Sequence, residues 1–177
     1  MSRAPSKLSR QAAALKKAFD AGFSQPLRPA ETGSLDLLAV RLAGEPWTIL
    51  LSAIAGLYSG KKITPLPGGT PGLLGLAGFR GTLVPVYDLA ARIGLAPVSA
   101  PRWLVLAKER RIALAFADLD GHLRAGADAI VPAPPGGNLF TGGFVNAGGE
   151  SRPVLHLPAV LDGIPRRKDL SQEGTET

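Results

Sequence analysis

Short apolar segments alternate with turns rich in glycine and proline along most of the chain. In one of these segments, Leu83 to Tyr87, β-branched and other apolar residues lie between Gly81 and Asp88, which predicts a buried strand. Pro85 has no N–H group to donate, so the strand is expected to have an open edge or a bulge there. Asp88 can cap a short helix from Leu89 to Ile93, because its carboxylate accepts from the free amides of a first turn. The pattern therefore predicts a strand followed at once by a capped helix.

Similar apolar segments predict strands in the rest of the chain. They are Leu35–Leu42, Trp47–Leu51, Ile54–Tyr58, Trp103–Ala107, Ile112–Ala117, Ala129–Pro132, Leu139–Val145 and Pro153–Leu157, with one more after His122. Gly44-Glu45 and Lys108–Arg111 are predicted to be the turns of two hairpins. The segment Pro158–Leu161 predicts a closing helix, because proline is accepted in a first helical turn. The predicted class is mainly β.

The first 34 residues follow a different pattern. Apolar residues recur there every three or four positions and predict an amphipathic helix from Leu8 to Phe23; they are Leu8, Ala12, Leu15, Phe19 and Phe23. Such a helix packs on its own domain or binds a partner or a membrane surface, and both alternatives stay open. The pattern predicts a basic helical extension with its linker over 1–34, one domain over 35–165 and a polar tail over 166–177.

Composition excludes several classes of site. The chain has 177 residues with 22 glycines and 16 prolines, which suits one domain of many short strands. It has no cysteine, so it cannot form a disulfide, a thiolate nucleophile or a cysteine zinc site, which fits a reducing cytoplasm. No segment approaches the length and apolarity of a membrane span, and the N-terminus lacks the apolar core of a signal peptide.

The net charge of +6 is concentrated at the N-terminus, where residues 1–30 contain six Lys or Arg and one acidic residue. The remainder of the chain is nearly neutral. A nucleic-acid-binding protein usually has its basic residues on the folded surface, so nucleic acid is not an expected partner.

Three local patterns resemble ligand sites but lack essential residues. The glycine-rich loop from Pro65 to Gly72 has no following Lys-Ser/Thr pair, which a phosphate-binding loop requires. The segment from Asp118 to His122 lacks the later ligands of a calcium loop and is predicted to be a solvated turn. His122 is expected on the surface, and His156 inside a strand as a core or rim residue. The sequence therefore predicts no catalytic residues, metal site or cofactor.

The segment GLAGFRGTLVPVYDLAARIGL, which begins at Gly75, resembles the central signature of CheW-type chemotaxis coupling domains. The positions that fit this signature directly are Gly75, Arg80, Gly81, Pro85, Asp88 and Leu89. Gly78 occupies a position where the family commonly has Asn, and Phe79 one where it has Leu. The resemblance extends from Val40 to about Leu161.

The resemblance implies two small five-stranded SH3-like β-barrels with short helices. It also implies a non-catalytic adaptor in the cytoplasm, at receptor arrays, that joins a CheA-type histidine kinase to a methyl-accepting receptor. By resemblance, Ile54 and Leu57 would contact the kinase. Phe79, Arg80 and Gly81 would contact the receptor.

Each of these implied roles has an alternative. Ile54 and Leu57 can be plain core residues, since one face of each strand must be buried. Arg80 can clamp Asp88 or loop carbonyls inside the domain. Gly56 stands where the family often has an acidic residue, so a diverged scaffold of a gliding, pilus or developmental pathway is a second hypothesis. A small-ligand-binding β-barrel or an enzyme is a third hypothesis, and the absence of a catalytic cluster in the sequence argues against it.

Overall fold

The computed structural model describes residues 33–67, 70–147 and 149–165. These residues form eleven strands: β1 (Ser34–Leu42), β2 (Glu45–Leu50), β3 (Ile54–Ser59), β4 (Leu73–Phe79), β5 (Thr82–Asp88), β6 (Trp103–Ala107), β7 (Ala113–Phe116), β8 (Asp118–Gly126), β9 (Ile130–Pro132), β10 (Thr141–Ala147) and β11 (Glu150–Leu155). They also form two short helices, α1 (Leu89–Arg92) and α2 (Leu157–Asp162). The predicted helix from Leu8 to Phe23, the tail 166–177 and most of the predicted linker lie outside the described residues.

Six strands form one sheet in the order β8-β1-β2-β11-β10-β9. The β1–β2 hairpin was expected to turn at Gly44-Glu45, but Leu42 pairs with Glu45 and the turn residues are Ala43 and Gly44, with φ angles of 51° and 85°. Positive φ at both central residues is typical of a type I′ hairpin turn, and Gly44 adopts this conformation without strain. The C-terminal β11 pairs in parallel with β2, so this sheet joins the two ends of the domain.

The other five strands form a second sheet in the order β3-β6-β7-β5-β4. Here β4 and β5 are antiparallel, whereas β5 and β7 are parallel with pairing that starts at Val86. Pro85 therefore lies where β5 has β4 as its only neighbour in the sheet, which confirms the predicted open edge. A bridge between Thr64 and Leu76 brings the segment after β3 against β4.

Helix α1 begins at the predicted cap. The Asp88 carboxylate is 1% exposed and accepts from the amides of Ala91 at 3.2 Å and Val98 at 2.6 Å. One side chain thus fixes both the helix and the loop that follows it. This confirms the predicted cap, since Asp88 satisfies an amide that the helix leaves free.

Helix α2 confirms the predicted closing helix and begins one residue earlier, at Leu157. Its C-terminal carbonyls face two arginines of the five-stranded part. Arg92 donates to the Val160 carbonyl at 3.3 Å, and Arg110 donates to the carbonyls of Leu161 and, at 2.9 Å, Ile164. Positive side chains stabilise this end of a helix through its free carbonyls and its dipole.

The largest core cluster lies between the two sheets. The six-stranded sheet contributes buried residues such as Val40 and Trp47 to this cluster. The five-stranded sheet contributes residues such as Val105 and Phe116, and both helices also contribute buried side chains. Each sheet also has a smaller cluster of its own. The structure confirms the mainly β class. The resemblance implied five strands in each of two barrels, and the two sheets have six and five strands.

Two local predictions are wrong. Asp118–His122 is not a solvated turn but the first half of β8, where exposed polar residues alternate with half-buried ones. This period-two alternation is typical of a strand with one buried face, and it outweighs the turn preference of Asp and Gly. His156 is exposed just after β11 ends at Leu155, so it is not inside a strand.

Candidate partner-binding surfaces

Strand β3 is an edge strand of the five-stranded sheet and carries both residues assigned by resemblance to the kinase. Ile54 is 9% exposed and belongs to the core between the sheets. Leu57 is half-buried and packs against the same core. Of the two, Leu57 therefore has the side chain that a partner could reach.

The three residues assigned to the receptor lie at the β4–β5 hairpin. Phe79 pairs with Thr82, which leaves Arg80 and Gly81 as a two-residue turn with φ angles of 47° and 79°. Positive φ at both positions gives a type I′ turn, the geometry that follows the natural twist of paired strands. Arg80 and Gly81 are exposed, whereas Phe79 is 5% exposed. The turn thus presents a guanidinium outward while the residue before it is part of the core.

Arg80 does not clamp Asp88. The Asp88 carboxylate is occupied by two backbone amides, and among the described residues Arg80 forms no ion pair and no side-chain hydrogen bond. A left-handed conformation costs a residue with a Cβ atom about 1 kcal/mol. The chain therefore holds an arginine at a strained position with no compensating side-chain hydrogen bond or ion pair in the described part.

Phe79 makes an internal contact with β3. Its ring meets that of Tyr58 edge-on, with centroids 4.9 Å apart and an interplanar angle of 75°. Lys61 lies over both rings, with its Nζ atom 5.6 Å from the Tyr58 centroid and 5.4 Å from that of Phe79. The same nitrogen donates to the Gly78 carbonyl at 3.1 Å. Lys61 is not recognisable from the sequence, because only the fold brings it to a strand 17 residues further along the chain.

Leu83 is a second residue that the sequence did not single out. The apolar run in β5 predicted a buried strand, but Leu83 is 66% exposed. It pairs with Gly78, where a Cβ atom would meet nothing within 4 Å. An apolar side chain is therefore uncovered close to the Arg80 turn, and such a side chain is a common anchor in protein interfaces when others surround it.

Charge is divided between the two sheets. Residues 54–116, which contain the five-stranded sheet, have eight Lys or Arg and two acidic residues. The remaining described residues, which contain the six-stranded sheet and α2, have three Arg and seven acidic residues. The net charge of the chain after its N-terminal 30 residues is close to zero, so it does not reveal this division. The surface that carries Arg80 and Lys61 therefore attracts acidic partners more than the other sheet does.

Acidic residues of the six-stranded sheet form ion pairs across its strands. Asp120 binds Arg41 at 3.2 Å and Arg152 at 2.9 Å, and Asp36 binds Arg124 at 3.2 Å. Burial alone would raise the pKa of Asp120, but hydrogen bonds from Arg152 and Arg41 lower it overall. The pKa of Asp36 is lowered by hydrogen bonds from Arg124 and then His122. These contacts join strands, and none of them pairs a histidine with a nucleophile.

The described residues contain no candidate for two further features, a metal site and a membrane-spanning helix. No group of three or more His, Cys, Asp or Glu residues in these ranges could hold a metal ion. No helix within them has the length and apolarity needed to cross a membrane.

Three comparisons place the chain among known proteins. The model of the CheW-like domain matches residues 36–169. The "Probable chemotaxis protein CheW" of Rhizobium etli is 25% identical over 91 residues, which cover 50% of this chain and 59% of that protein. The match thus spans less than two thirds of that relative's length.

A solved structure supports the same fold. The crystal structure of the scaffolding protein TtCheW from Thermoanaerobacter tengcongensis matches with a TM-score of 0.66 and 16% identity, and the match covers 75% of this chain and 95% of that chain. Together with a family model that covers well over half of the sequence, this shows that the chain belongs to the family of CheW-like domains.

Proposed function

We propose that this chain is a non-catalytic adaptor that joins a CheA-type histidine kinase to a methyl-accepting chemoreceptor, in the cytoplasm at receptor arrays. Membership of the CheW-like family supports an adaptor role, as do the relatives named as a chemotaxis protein and a scaffolding protein. The observation that carries the proposal is the Arg80 turn. An arginine is held there in a left-handed conformation, exposed and without an ion pair in the described part of the chain.

The receptor-side surface consists of Arg80, Gly81 and Leu83. The guanidinium offers five donors in a planar fork, which suits a carboxylate on the partner. Leu83 offers apolar area beside it, and Gly81 allows the partner's backbone to approach closely. The resemblance also assigned Phe79 to this contact. Its ring is buried against Tyr58, so it stabilises the turn from the core and does not bind the partner itself.

The kinase-side surface follows the β3 edge, with Leu57 as its apolar contact. Ile54 acts from the core by holding β3 in place. An edge strand has free backbone groups on one side, and together with a half-buried leucine it gives a partner both polar and apolar contacts.

A second candidate function is the same adaptor role in a gliding, pilus or developmental pathway. Gly56 and Gly78 favour it, because each lacks the side chain that related domains commonly have at a position next to a proposed contact. An enzymatic or ligand-binding function has less support, since the ion pairs of Asp36 and Asp120 join strands of the six-stranded sheet and Asp88 caps α1.

A pull-down from the native cell, with the full-length chain as bait, tests the proposal. The wild-type chain should retain a histidine kinase and a chemoreceptor. Arg80→Ala should lose the receptor and keep the kinase. Arg102→Ala is the matched control, because it removes the same charge from another exposed position, just before β6. If the wild-type chain retains neither a histidine kinase nor a chemoreceptor, the proposal is contradicted.

A further inference from the structure

A cluster of three side chains, the Lys61 cluster, links β3 to the Arg80 turn and consists of Tyr58, Lys61 and Phe79. The two rings are in edge contact, and the Lys61 ammonium lies within 6 Å of both centroids. A cation at this distance is attracted to the negative faces of aromatic rings. The cluster therefore holds three side chains from two strand regions in one arrangement.

Position 56 is part of the same arrangement. A Cβ atom at Gly56 would lie 2.9 Å from Cε2 and 3.0 Å from the hydroxyl oxygen of the Tyr58 ring. Any side chain there would displace the ring from its contact with Phe79. The absence of a side chain at Gly56 is thus a condition for the cluster, and not only the loss of a charge.

Gly78, which precedes Phe79 in β4, has no side chain that could stabilise the turn. A Cβ atom placed there would meet nothing within 4 Å. The carbonyl of Gly78 accepts the ammonium hydrogen bond at 3.1 Å. Lys61 thus contacts the two residues that immediately precede the strained Arg80, Gly78 through its carbonyl and Phe79 through its ring.

We propose that Lys61 is the positioning residue of the Arg80 turn and that the Lys61 cluster couples this turn to the β3 edge. A change at β3 that moves Tyr58 also moves Lys61 and Phe79, and the Arg80 guanidinium moves with them. The identity of the two coupled partners, kinase at β3 and receptor at Arg80, rests on the proposed function. The mechanical link rests on the contacts of Lys61 alone.

Amide hydrogen exchange of the full-length chain tests the link without any partner. Lys61→Met should raise the exchange rate of the β4 and β5 amides next to the turn roughly three- to fivefold, since it removes one exposed cation–π cluster and one hydrogen bond. Lys62→Met removes the same charge from the neighbouring residue and should leave these rates unchanged. Lys61→Arg should restore the protection, because a guanidinium also stacks on aromatic rings. Equal exchange in the Lys61→Met and Lys62→Met proteins would overturn the proposal.

Gly56→Ala gives an independent test at the other end of the link. The added methyl group should displace Tyr58 and raise exchange at the Arg80 turn, although position 56 is on a different strand. The double variant Gly56→Ala, Tyr58→Leu should add nothing to Tyr58→Leu alone. Additive effects of the two substitutions would show that position 56 acts by another route and would contradict the coupling.

Binding to a receptor cytoplasmic fragment separates this inference from the proposed function. Lys61→Met should weaken binding when Arg80 is present and have no further effect in an Arg80→Ala background. If Arg80→Ala itself leaves binding unchanged, the receptor assignment is wrong, while the exchange experiment still decides the role of Lys61. If Arg80→Ala weakens binding and Lys61→Met weakens it equally in both backgrounds, the positioning role is wrong.

Discussion

Leu83 lies directly opposite Gly78 in the β4–β5 pair, and the missing side chain at position 78 leaves Leu83 66% exposed. In a sheet, a side chain is covered mainly by its cross-strand neighbour. The exposure of Leu83 is thus a consequence of the residue on the adjacent strand, and it places apolar area next to the Arg80 turn.

Filling position 78 should stabilise the domain and weaken its binding. Gly78→Thr replaces a flexible residue inside a strand and covers Leu83, so the free energy of unfolding should rise by about 0.5–1 kcal/mol. Receptor binding should fall, because Leu83 is no longer available. Gly75→Ala is the contrasting variant on the same strand: its Cβ atom would collide with the Thr64 carbonyl oxygen at a φ of 145°, so it should lose stability. Urea denaturation measures both changes, and a destabilised Gly78→Thr protein would contradict this account of the exposed Leu83.

The two apolar residues of β3 should respond differently to a charge. Ile54→Asp places a carboxylate in the core between the sheets and should unfold the domain or cost it about 3 kcal/mol or more. Leu57→Asp should keep the fold, with a smaller loss of stability, and abolish kinase binding. Circular dichroism and a kinase binding assay distinguish the two outcomes. Loss of fold in both variants would make Leu57 a core residue as well.

The mainly β class, the closing helix and the Asp88 cap were predictable because they depend on local patterns. Alternating or continuous apolar runs predict strands, and a carboxylate before a helical segment predicts a cap. The first half of strand β8 was missed because its Asp and Gly residues favour a turn in isolation, whereas pairing with β1 favours a strand. Local preference is weaker than pairing when one face of a strand is covered.

The candidate surfaces were only partly predictable, for a different reason. The resemblance singled out Arg80 and left its orientation open, and the structure places it exposed in a tight turn with Gly81. Lys61 and Leu83 act through neighbours distant in sequence, so their environment appears only in the fold. The division of charge between the sheets also depends on the fold, since it cancels in the total.

Arg110 should stabilise the domain through α2. It donates to the carbonyls of Leu161 and Ile164, so Arg110→Ala should lower the free energy of unfolding by about 1–3 kcal/mol. Arg111→Ala, at the exposed neighbouring position, should change it by less than about 0.5 kcal/mol. Denaturant titrations of the two variants give the comparison, and equal stability of both would show that the helix end needs no arginine.

Ion pairs of the six-stranded sheet should make the free energy of unfolding depend on pH in the acid range. The pKa of Asp120 is lowered from 3.8 in the folded state, so its contribution is present above pH 3.8 and is lost as pH falls through the lower folded value. Asp120→Asn should therefore flatten the acid side of the stability curve, where pH falls below the ordinary pKa of 3.8. Asp118→Asn is the control, since among the described residues Asp118 forms no ion pair. If the stability curves of the wild-type chain and Asp120→Asn are parallel in the acid range, the Asp120 carboxylate does not cause the pH dependence.

The central claim is that Arg80 is kept at a strained position for a partner and not for the fold. Arg80→Asn tests it most directly, because asparagine before glycine is favoured in a type I′ turn and adopts positive φ at low cost. Thermal stability and affinity for a receptor cytoplasmic fragment should be measured on the same purified protein. We expect the melting temperature to be unchanged or raised and the affinity to fall at least about tenfold, a loss of about 1.4 kcal/mol. A folded Arg80→Asn protein with full affinity for the receptor would contradict the claim.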